Sequence, residues 1–414
     1  MSTIRPFQAI RPPASLAARV AALPYDVMSS EEARQMVTGN PYSFLHVDKA
    51  EIDLPSDVDL YDERVYQKAR QNLDGMIAEG ILQQDGQACF YIYRQIMNGR
   101  SQTGIVACCS MDEYLDNKIK KHEFTRADKE QDRINHVNVC DANTGPIFLT
   151  YRNRTDINSI IAQWCTQAPV YEFQSEDGIG HVVWVIDDLQ VMADLQHCFR
   201  QVEELYIADG HHRCASGVRV GQMRRQQYPN YTGEEEFNYF LAVLFPDQEL
   251  QIMDYNRVIK DLNGLSRAAF LAAVEDKFSI TATGASIPYK PQSRHHFGMY
   301  LDEQWYELTA REGTIAEDDP VARLDVSILQ NNLLGPVLGI ADPRTDRRID
   351  FIGGIRGLEE LEKRVKEGMA VAFSLYPVTI LDLMDIADAG QVMPPKSTWF
   401  EPKLRSGLFI HKLT

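Results

Sequence analysis

Residues 208–213 read Ala-Asp-Gly-His-His-Arg and place an acid, a glycine, two imidazoles and a guanidinium side by side. An apolar stretch, 205–207, precedes them and a helix-like stretch, 214–227, follows, which predicts a turn from a strand into a helix. Gly210 permits a tight turn because it has no side chain to clash at unusual backbone angles. The free N–H groups and positive dipole end of a helix start favour phosphate binding.

The side chains of this turn strengthen the phosphate interpretation. His211, His212 and Arg213 add donors or positive charge on the same turn, and Asp209 adds a metal ligand or a general base beside them. The alternative is structural: Asp209 caps the helix, the histidines are packed or exposed, and Arg213 pairs with a carboxylate. Four such residues together at one turn favour a functional site.

A second candidate lies in the charged run 120–126. Glu123 follows His122 and precedes Arg126, and the run continues to Arg133. A carboxylate in a cleft with such neighbours is a candidate general base, because they tune its pKa. The alternative is a solvated helix with alternating charges.

A third candidate is the loop 393–403, with Lys396, Ser397 and Thr398 after two prolines. A Lys-Ser-Thr triplet is similar to the end of a Walker A loop, but the glycines of that loop are absent, so this is not a P-loop. Rigid prolines could still fix a loop that offers Lys396 and two hydroxyls to an anion. The alternative is a structured loop without a ligand.

Asp26, within the Pro-Tyr-Asp-Val segment 24–27, is a fourth candidate. It precedes a predicted helix, 29–37, in which Ser29 and Glu32 are spaced as a capping box. Asp26 either contacts a polar substrate or ends a strand, and the pattern favours the structural interpretation.

These candidates need a scaffold, and helices and strands alternate irregularly, which predicts a mixed α/β or α+β enzyme. Periodicity predicts further helices at 57–79, 265–278, 325–338, 358–366 and 377–387. It predicts strands at 89–95, 104–110, 182–186, 239–245, 371–376 and 408–413. The face of the 57–79 helix that should be buried carries Val65, Ala69, Leu73, Met76 and Ile77. The polar, proline-containing stretch 284–294 predicts a lobe boundary that divides 1–285 from 286–414.

Composition limits the function classes. The chain of 414 residues has a formal net charge of −17, which disfavours broad nucleic-acid binding. Seven cysteines without metal-type spacing indicate reduced thiols and a cytoplasmic location. The sequence shows no signal region and no apolar run long enough to span a membrane. The hydrolase-elbow, zincin, Rossmann and protein-kinase motifs are also absent from it.

The motifs together carry a resemblance to a known family. They are Pro24 to Val27, Asn40-Pro41, His122-Glu123 with Thr125, Asp132-Arg133, Gly145-Pro146, residues 208–213 and residues 394–398. With them the chain resembles a bacterial and archaeal family of formerly uncharacterised proteins marked by an A-D-G-H-H-R motif. Some members look like free L-serine kinases (SerK-like), which use ATP to make O-phospho-L-serine. Asn256 departs from the pattern, because relatives are expected to carry histidine there.

The D-G-H-H-R element is also similar to the phosphate-binding motif of the ParB/sulfiredoxin superfamily. The resemblance therefore implies a two-lobed α/β enzyme with a ParB/sulfiredoxin-like nucleotide-binding core. It implies Mg²⁺ and a nucleotide, ATP or ADP, as the phosphate donor. L-serine is the implied small-molecule substrate, with no nucleic-acid or membrane partner.

The resemblance also implies roles for individual residues. Glu123 and Asp209 become catalytic candidates, with Asp209 also a candidate magnesium ligand. Residues implied to bind nucleotide or phosphate are Gly210, His211, His212, Arg213, Lys396, Ser397 and Thr398. Residues implied to bind the substrate are His122, Thr125, Arg126, Arg133 and Asp26.

Several alternatives stay open at the level of sequence. The chain could be a nucleotide hydrolase, a kinase of another small hydroxylated metabolite, or a nucleotide-binding protein without turnover. The sequence does not separate the base from the metal ligand among Glu123, Asp209 and Asp26. It also leaves the oligomeric state open, a homodimer included.

Overall fold

The computed structural model describes residues 2–283 and 288–414, and the chain divides into two compact units. Unit 1 contains residues up to 250 and residues 402–414, and unit 2 contains residues 251–401 apart from those not described. Both units combine helices with sheets, so the predicted mixed α/β class is confirmed.

The predicted lobe boundary between 285 and 286 lies outside the described residues. The structure divides the chain at 250/251 and 401/402 instead. The reason is strand pairing, because Phe278–Ala282 and Gln304–Ala310, on either side of the predicted boundary, are neighbours in one sheet. The described strands before and after the predicted boundary therefore belong to one compact unit.

Unit 1 contains one large mixed sheet and short strands outside it. Its strands are β1 (Ile4–Arg5), β2 (Ile10–Arg11), β3 (Gln83–Gln84), β4 (Phe90–Met97), β5 (Arg100–Ser110), β6 (Ile119–Lys120), β7 (Ala142–Asn143), β8 (Ile147–Tyr151), β9 (Tyr171–Gln174), β10 (Gly180–Ile186), β11 (Leu205–Asp209) and β12 (Tyr239–Pro246). The main sheet has the order β6-β11-β8-β12-β5-β4-β10-β9, with β1 beside β5. The predicted β4–β5 hairpin and the apolar strands β10 and β12 are confirmed.

Unit 1 also contains helices, some packed on the main sheet and others gathered in a second hydrophobic core. They are α1 (Ala17–Val20), α2 (Ser30–Met36), α3 (Leu45–Asp48), α4 (Glu63–Ala78), α5 (Met111–Leu115), α6 (Ala127–Cys140), α7 (Thr155–Trp164), α8 (Leu189–Phe199) and α9 (His211–Gln227). The capping box of Ser29 and Glu32 is present at the start of α2, as predicted. Helix α4 begins later than predicted, because the carboxylate of Asp62 accepts the N–H of Arg64 and caps it. Ile77 is exposed, so its assignment to the buried face is wrong.

The hydrophobic core of unit 1 fixes β11 and α9 in place. Ile207 of β11 and Cys214 and Val218 of α9 are almost fully buried in the same cluster as the strands β5, β8 and β12. Because the strand before the turn and the helix after it share one core, the turn between them is held at both ends.

Unit 2 is built on an antiparallel sheet. Its strands are β13 (Ile252–Met253), β14 (Tyr255–Ile259), β15 (Phe278–Ala282), β16 (His296–Leu301), β17 (Gln304–Ala310), β18 (Ile349–Gly353), β19 (Val371–Leu375) and β20 (Trp399–Phe400). The order is β15-β17-β16-β19-β14-β18, and β13 pairs separately with β20. One further strand, β21 (His411–Lys412), belongs to unit 1, where it pairs with β7. It is shorter than the predicted 408–413 strand.

The helices of unit 2 are α10 (Arg267–Glu275), α11 (Asp325–Leu329), α12 (Glu359–Lys366) and α13 (Ile380–Asp388). The predicted 325–338 helix is split, because α11 continues as a π-helical segment, Gln330–Leu334. Helix α13 begins after Thr379, three residues later than predicted, since Thr379 and Asp382 form a capping box.

Two further findings concern the whole chain. All seven cysteines lie within the described residues and are free thiols, six of them buried. Across 2–283 and 288–414, no helix combines the length and the apolar character that a membrane crossing requires.

Candidate functional site

The turn between β11 and α9 has the geometry that its glycine predicts. The pairing of β11 with β8 shifts register between Ile207 and Asp209, and such a bulge re-aims the side chains beside it. Gly210 follows with φ of 89°, in the left-handed region that favours glycine. A Cβ at Gly210 would lie 3.0 Å from Nε of Arg213. The turn therefore requires glycine both for its backbone and for the approach of Arg213.

Asp209 lies between two cations of unit 1. Its Oδ2 is 3.5 Å from Nη2 of Arg213 and 3.5 Å from Nζ of Lys403. Burial alone would raise the pKa of Asp209, but the charges of Lys403 and Arg213 outweigh burial and lower it to about 2. The carboxylate is ionised at neutral pH and holds both cations beside the turn.

Arg213 is the cation of the turn, with a side chain only 11% exposed. Its Nη1 donates a hydrogen bond to the carbonyl of Pro146 at 2.5 Å, and its Nε has no partner in the described part of the chain. Burial acts to lower the pKa of Arg213, but the negative charges of Asp26 and Asp209 raise it. Arg213 therefore stays charged and retains an unused donor.

His212 is oriented by the backbone of the second motif. Its Nε2 accepts the N–H of Arg126 at 3.0 Å. Burial lowers the pKa of His212, which keeps the ring neutral at neutral pH. A neutral ring that accepts at Nε2 carries its proton on Nδ1, so Nδ1 is the nitrogen of His212 that can donate to a ligand.

The 208–213 turn and the 120–126 segment meet at three side chains, His122, Glu123 and His211. The rings of His122 and His211 contact edge to face with centroids 4.5 Å apart. Nδ1 of His211 is 3.9 Å from Oε2 of Glu123. Burial lowers the pKa of His122 to about 4, and it lowers that of His211 well below the usual value. Both imidazoles are therefore neutral at physiological pH.

A small cavity adjoins Arg213. Its lining includes Tyr25, Asp48, Arg133, His136, Thr144 and Arg213. Arg133 pairs with Asp132 at 2.8 Å and its guanidinium lies 4.0 Å from the centre of the Tyr25 ring. The cavity offers about 20 Å³ to the centres of water-sized molecules, which is room for one water rather than for a metabolite. Arg133 and Arg213 are thus brought to one cavity.

The remaining predicted substrate residues of unit 1 differ in their surroundings. Asp26 is exposed in the short turn Tyr25–Val27 and interacts electrostatically with Arg213 and His212. The hydroxyl of Thr125 donates to Glu130 at 2.5 Å. The side chain of Arg126 is 71% exposed and pairs with Asp128. Asp26 therefore faces the turn, whereas Thr125 and Arg126 interact with the start of α6.

The third candidate loop belongs to unit 2. Lys396 has a φ of 58°, and its ammonium lies 5.7 Å from the centre of the Tyr255 ring. The buried Ser397 hydroxyl donates to the carbonyl of Pro394 at 2.6 Å. Arg257 donates to the carbonyl of Lys396 at 3.1 Å, and burial lowers the pKa of Arg257 to about 10. Ser397 thus stabilises the loop, and Thr398 follows it half-buried.

The structure corrects one sequence alternative and adds residues. Residues 121–126 are not a solvated helix, because α6 begins only at Ala127 and buries Arg133 and His136. Sequence reasoning missed Lys403 as the partner of Asp209, although it closes the proline-rich motif. It also missed Asp48, whose carboxylate accepts the Thr144 hydroxyl at 2.8 Å. Separations of 194 and 96 positions leave no local signal for these contacts.

The residues of the turn fit a phosphate-bearing ligand better than they fit magnesium at Asp209. The helix start, Arg213 and Lys403 are suited to phosphate oxygens. Asp209 is an oxygen donor, as Mg²⁺ requires, but it already pairs with two cations. Magnesium at Asp209 would have to compete with both of them, so the residues do not fit that predicted ligand role.

A family comparison places the chain. Residues 4–327 match the model of a family described as a protein of unknown function, DUF1015. The chain belongs to the DUF1015 family. The match covers unit 1 up to residue 250 and the first half of unit 2. No curated protein matches the chain.

Several solved structures resemble this DUF1015 protein at low similarity. A variant of a free serine kinase in complex with ADP has a TM-score of 0.37 and 11% identity, covering 76% of this chain and 95% of its own. A conserved hypothetical protein from Pyrococcus furiosus has a TM-score of 0.35 and 12% identity, with 74% and 94% covered. Truncated SbnI from Staphylococcus aureus has 0.36 and 10%, with 72% and 82% covered. With TM-scores below 0.5, these likenesses carry no argument about activity.

Proposed function

We propose that this DUF1015 protein is an ATP-dependent kinase that phosphorylates free L-serine to O-phospho-L-serine by direct in-line transfer. The carrying observation is the β11–α9 turn, where Gly210 opens a helix start beside Arg213 and Lys403. Backbone N–H groups and fixed cations at one point stabilise the charge of a transferring phosphoryl group. The motif resemblance supplies the choice of serine, and the phosphate donor is ATP or ADP.

The acceptor hydroxyl needs a proton acceptor, and Glu123 is the better candidate. Its side chain is 44% exposed and lies beside His211, within the same group of side chains. Asp209 has a pKa lowered to about 2 by Lys403 and Arg213, which makes it a weak base. We assign the base to Glu123, and to Asp209 the positioning of Arg213 and Lys403.

Substrate contacts follow from the charges around the turn. We propose that Asp26 binds the amino group of serine, with His122, Thr125 and Arg126 at the edge of this site. Arg133 is buried at a cavity with room for one water, so its role is to hold Tyr25, the neighbour of Asp26, in place. His212 offers its Nδ1–H, and His211 and Gly210 complete the phosphate contacts. Lys396, Ser397 and Thr398, with Arg257, form a second anion-binding loop in unit 2. Magnesium bound to the nucleotide phosphates would neutralise part of their charge.

The proposal is tested by incubating the purified chain with L-serine, Mg²⁺ and either ATP or ADP. Mass spectrometry should detect O-phosphoserine with at least one donor. D-serine and L-alanine are matched controls, since the first inverts the amino-acid geometry and the second lacks the hydroxyl. Nucleotide binding without phosphoserine overturns the serine assignment.

The same assay separates the alternatives. Release of inorganic phosphate without phosphoserine identifies a nucleotide hydrolase. A phosphorylated product from glycerol, L-threonine or L-homoserine, but not from L-serine, identifies a kinase of another hydroxylated metabolite. The free thiols of the chain agree with a reducing compartment, and we propose that the enzyme acts in the cytoplasm.

A further inference from the structure

The geometry points to a metal site: we propose that His122, Glu123 and His211 bind a divalent transition-metal ion of the zinc type. This site is separate from the magnesium that accompanies a nucleotide. The inference stands on the three side chains alone and does not rest on the proposed phosphoryl transfer.

The first support is distance. One ligand atom from each of the three residues lies within 4.8 Å of the others, and Nδ1 of His211 is 3.9 Å from Oε2 of Glu123. Zinc bonds of about 2.0–2.1 Å in a tetrahedron place ligand atoms about 3.3 Å apart. The atoms must therefore close by at most about 1.5 Å. Glu123 is 44% exposed, so its carboxylate lies at the solvent side of the two buried rings.

The second support is the state of the imidazoles. His122 is 2% exposed, yet neither ring nitrogen has a hydrogen-bond partner among residues 2–283 and 288–414. The backbone of Ile207 lies near the ring but outside hydrogen-bond geometry. His211 is 6% exposed, and its Nε2 is likewise unpartnered in the described structure. Buried polar atoms nearly always have a hydrogen-bond partner or bind a ligand, so the unpartnered nitrogens of His122 and His211 indicate a binding site.

The chemistry of the donors selects the class of ion. Two imidazole nitrogens and one carboxylate oxygen match the composition of catalytic zinc sites, which keep a fourth position open for water or substrate. Magnesium prefers oxygen ligands and octahedral geometry, so it does not suit two buried imidazoles.

An ion here would act as a Lewis acid at its open position. Glu123 has two carboxylate oxygens, so ligation through one leaves the other available to accept a proton. His122 and His211 would then hold the ion from the buried side, and Glu123 would hold it from the solvent side. The metal and base roles of Glu123 are compatible.

The test uses the full chain, freed of metal and without nucleotide or serine. Equilibrium dialysis against Zn²⁺ measures stoichiometry and affinity, and Co²⁺ substitution gives a visible absorption spectrum that reports coordination. We expect one tightly bound ion per chain. His211→Gln and Glu123→Gln should each weaken Zn²⁺ binding at least about 10-fold, the loss that even outer-shell partners cause. His197→Gln, at an exposed histidine, is the matched control and should bind as the parent does.

The outcomes are distinct from those of the serine assay. Zinc-type binding that Glu123→Gln and His211→Gln weaken supports the site even if no phosphoserine forms. Should His211→Gln unfold, which circular dichroism would reveal, the exposed Glu123→Gln alone decides. Parent-like Zn²⁺ binding by the Glu123 variant, no binding by the parent, or displacement of Zn²⁺ by a modest excess of Mg²⁺ would overturn the proposal.

Discussion

The 208–213 turn of unit 1 and the 394–398 loop of unit 2 both carry candidate anion-binding residues. The two regions differ in the partners of their cations. At the turn, Asp209 pairs with Arg213 and Lys403. At the loop, buried Arg257 donates only to backbone carbonyls within the described residues, and burial lowers its pKa to about 10. The turn is a network of paired opposite charges, whereas Arg257 beside the loop is held by backbone carbonyls.

Two arrangements can therefore favour anion binding: cations held in place by a carboxylate, and a cation that burial has stripped of water. Pairing keeps Asp209 ionised and fixes the directions of Arg213 and Lys403, so the turn pays little reorganisation when a phosphate arrives. A desolvated guanidinium such as Arg257 is stabilised only when an anion approaches it. The first arrangement suits a reacting group, and the second suits binding without chemistry.

Between the turn and the loop, the largest expected effect is at Arg213. Arg213→Lys keeps the charge but loses the fork that reaches the Pro146 carbonyl and Asp209 together. We expect kcat/KM for phosphoserine formation to fall about 100-fold, the cost of removing one fixed donor to developing charge. Arg219→Lys, at an exposed position of the same helix, is the control and should leave kcat/KM unchanged. Equal kcat/KM values for Arg213→Lys and Arg219→Lys would show that the paired charges of the turn do not position a reacting group.

The next effect is on the stability of unit 2, where Asp325 is buried. Burial raises the pKa of Asp325 from 3.8 to about 7, so the folded protein favours the protonated acid. Stability is therefore lost as the pH rises from about 4 to 7, while the unfolded chain ionises first. Asp325→Asn should exceed the parent in unfolding free energy by on the order of 2 kcal/mol at pH 8 and match it near pH 4.

Urea unfolding across this pH range measures the effect. Asp318→Asn changes an exposed carboxylate of the same unit and should follow the parent at every pH. A parallel pH dependence of the parent and Asp325→Asn would show that Asp325 is not the buried titrating group.

A smaller effect separates backbone strain from site geometry. Gly210→Ala and Gly390→Ala both place a side chain at positive φ, 89° and 65°, and each should cost about 1 kcal/mol of stability. Only the Cβ at 210 meets Arg213, whereas the position at 390 is open. We expect activity to fall about 10-fold in Gly210→Ala alone, because a displaced guanidinium loses alignment. Equal activities would show that Arg213 tolerates displacement.

The smallest effect is at the 394–398 loop. Lys396→Met should raise KM for the nucleotide about 3- to 10-fold with little change in kcat, because a binding contact made equally throughout the reaction affects only affinity. Ser397→Ala is the structural control, since it removes the hydrogen bond to Pro394 and costs about 1 kcal/mol of stability. A large loss of kcat in Lys396→Met would place chemistry at the loop.

The fold was predictable where one local signal decides. Ser29 and Glu32 predicted the start of α2, and Gly210 predicted the β11–α9 turn. The observed helix ends differ from the predicted ones where a capping residue lies within the range that the periodicity predicts, as Asp62 does at the start of α4. The division of the chain at 250/251 and 401/402 was not predicted, because composition cannot show that β15 and β17 pair in one sheet.

The site was predictable only within each motif. The grouping of His122, Glu123 and His211 required β6 to pair with β11, which brings the segment after β6 beside the turn. Lys403 joins Asp209 only because the end of the chain returns to unit 1. Such contacts depend on tertiary packing, which a single sequence does not encode in any local pattern.

The central claim is that Glu123 accepts the proton of serine while phosphate transfers at the turn. Its most direct test is the initial rate of O-phosphoserine formation by the parent and by Glu123→Gln at saturating L-serine, Mg²⁺ and the effective nucleotide. We predict phosphoserine from the parent and a loss of at least about 100-fold in the variant. A parent-like rate in Glu123→Gln, with unchanged thermal stability, would contradict the account.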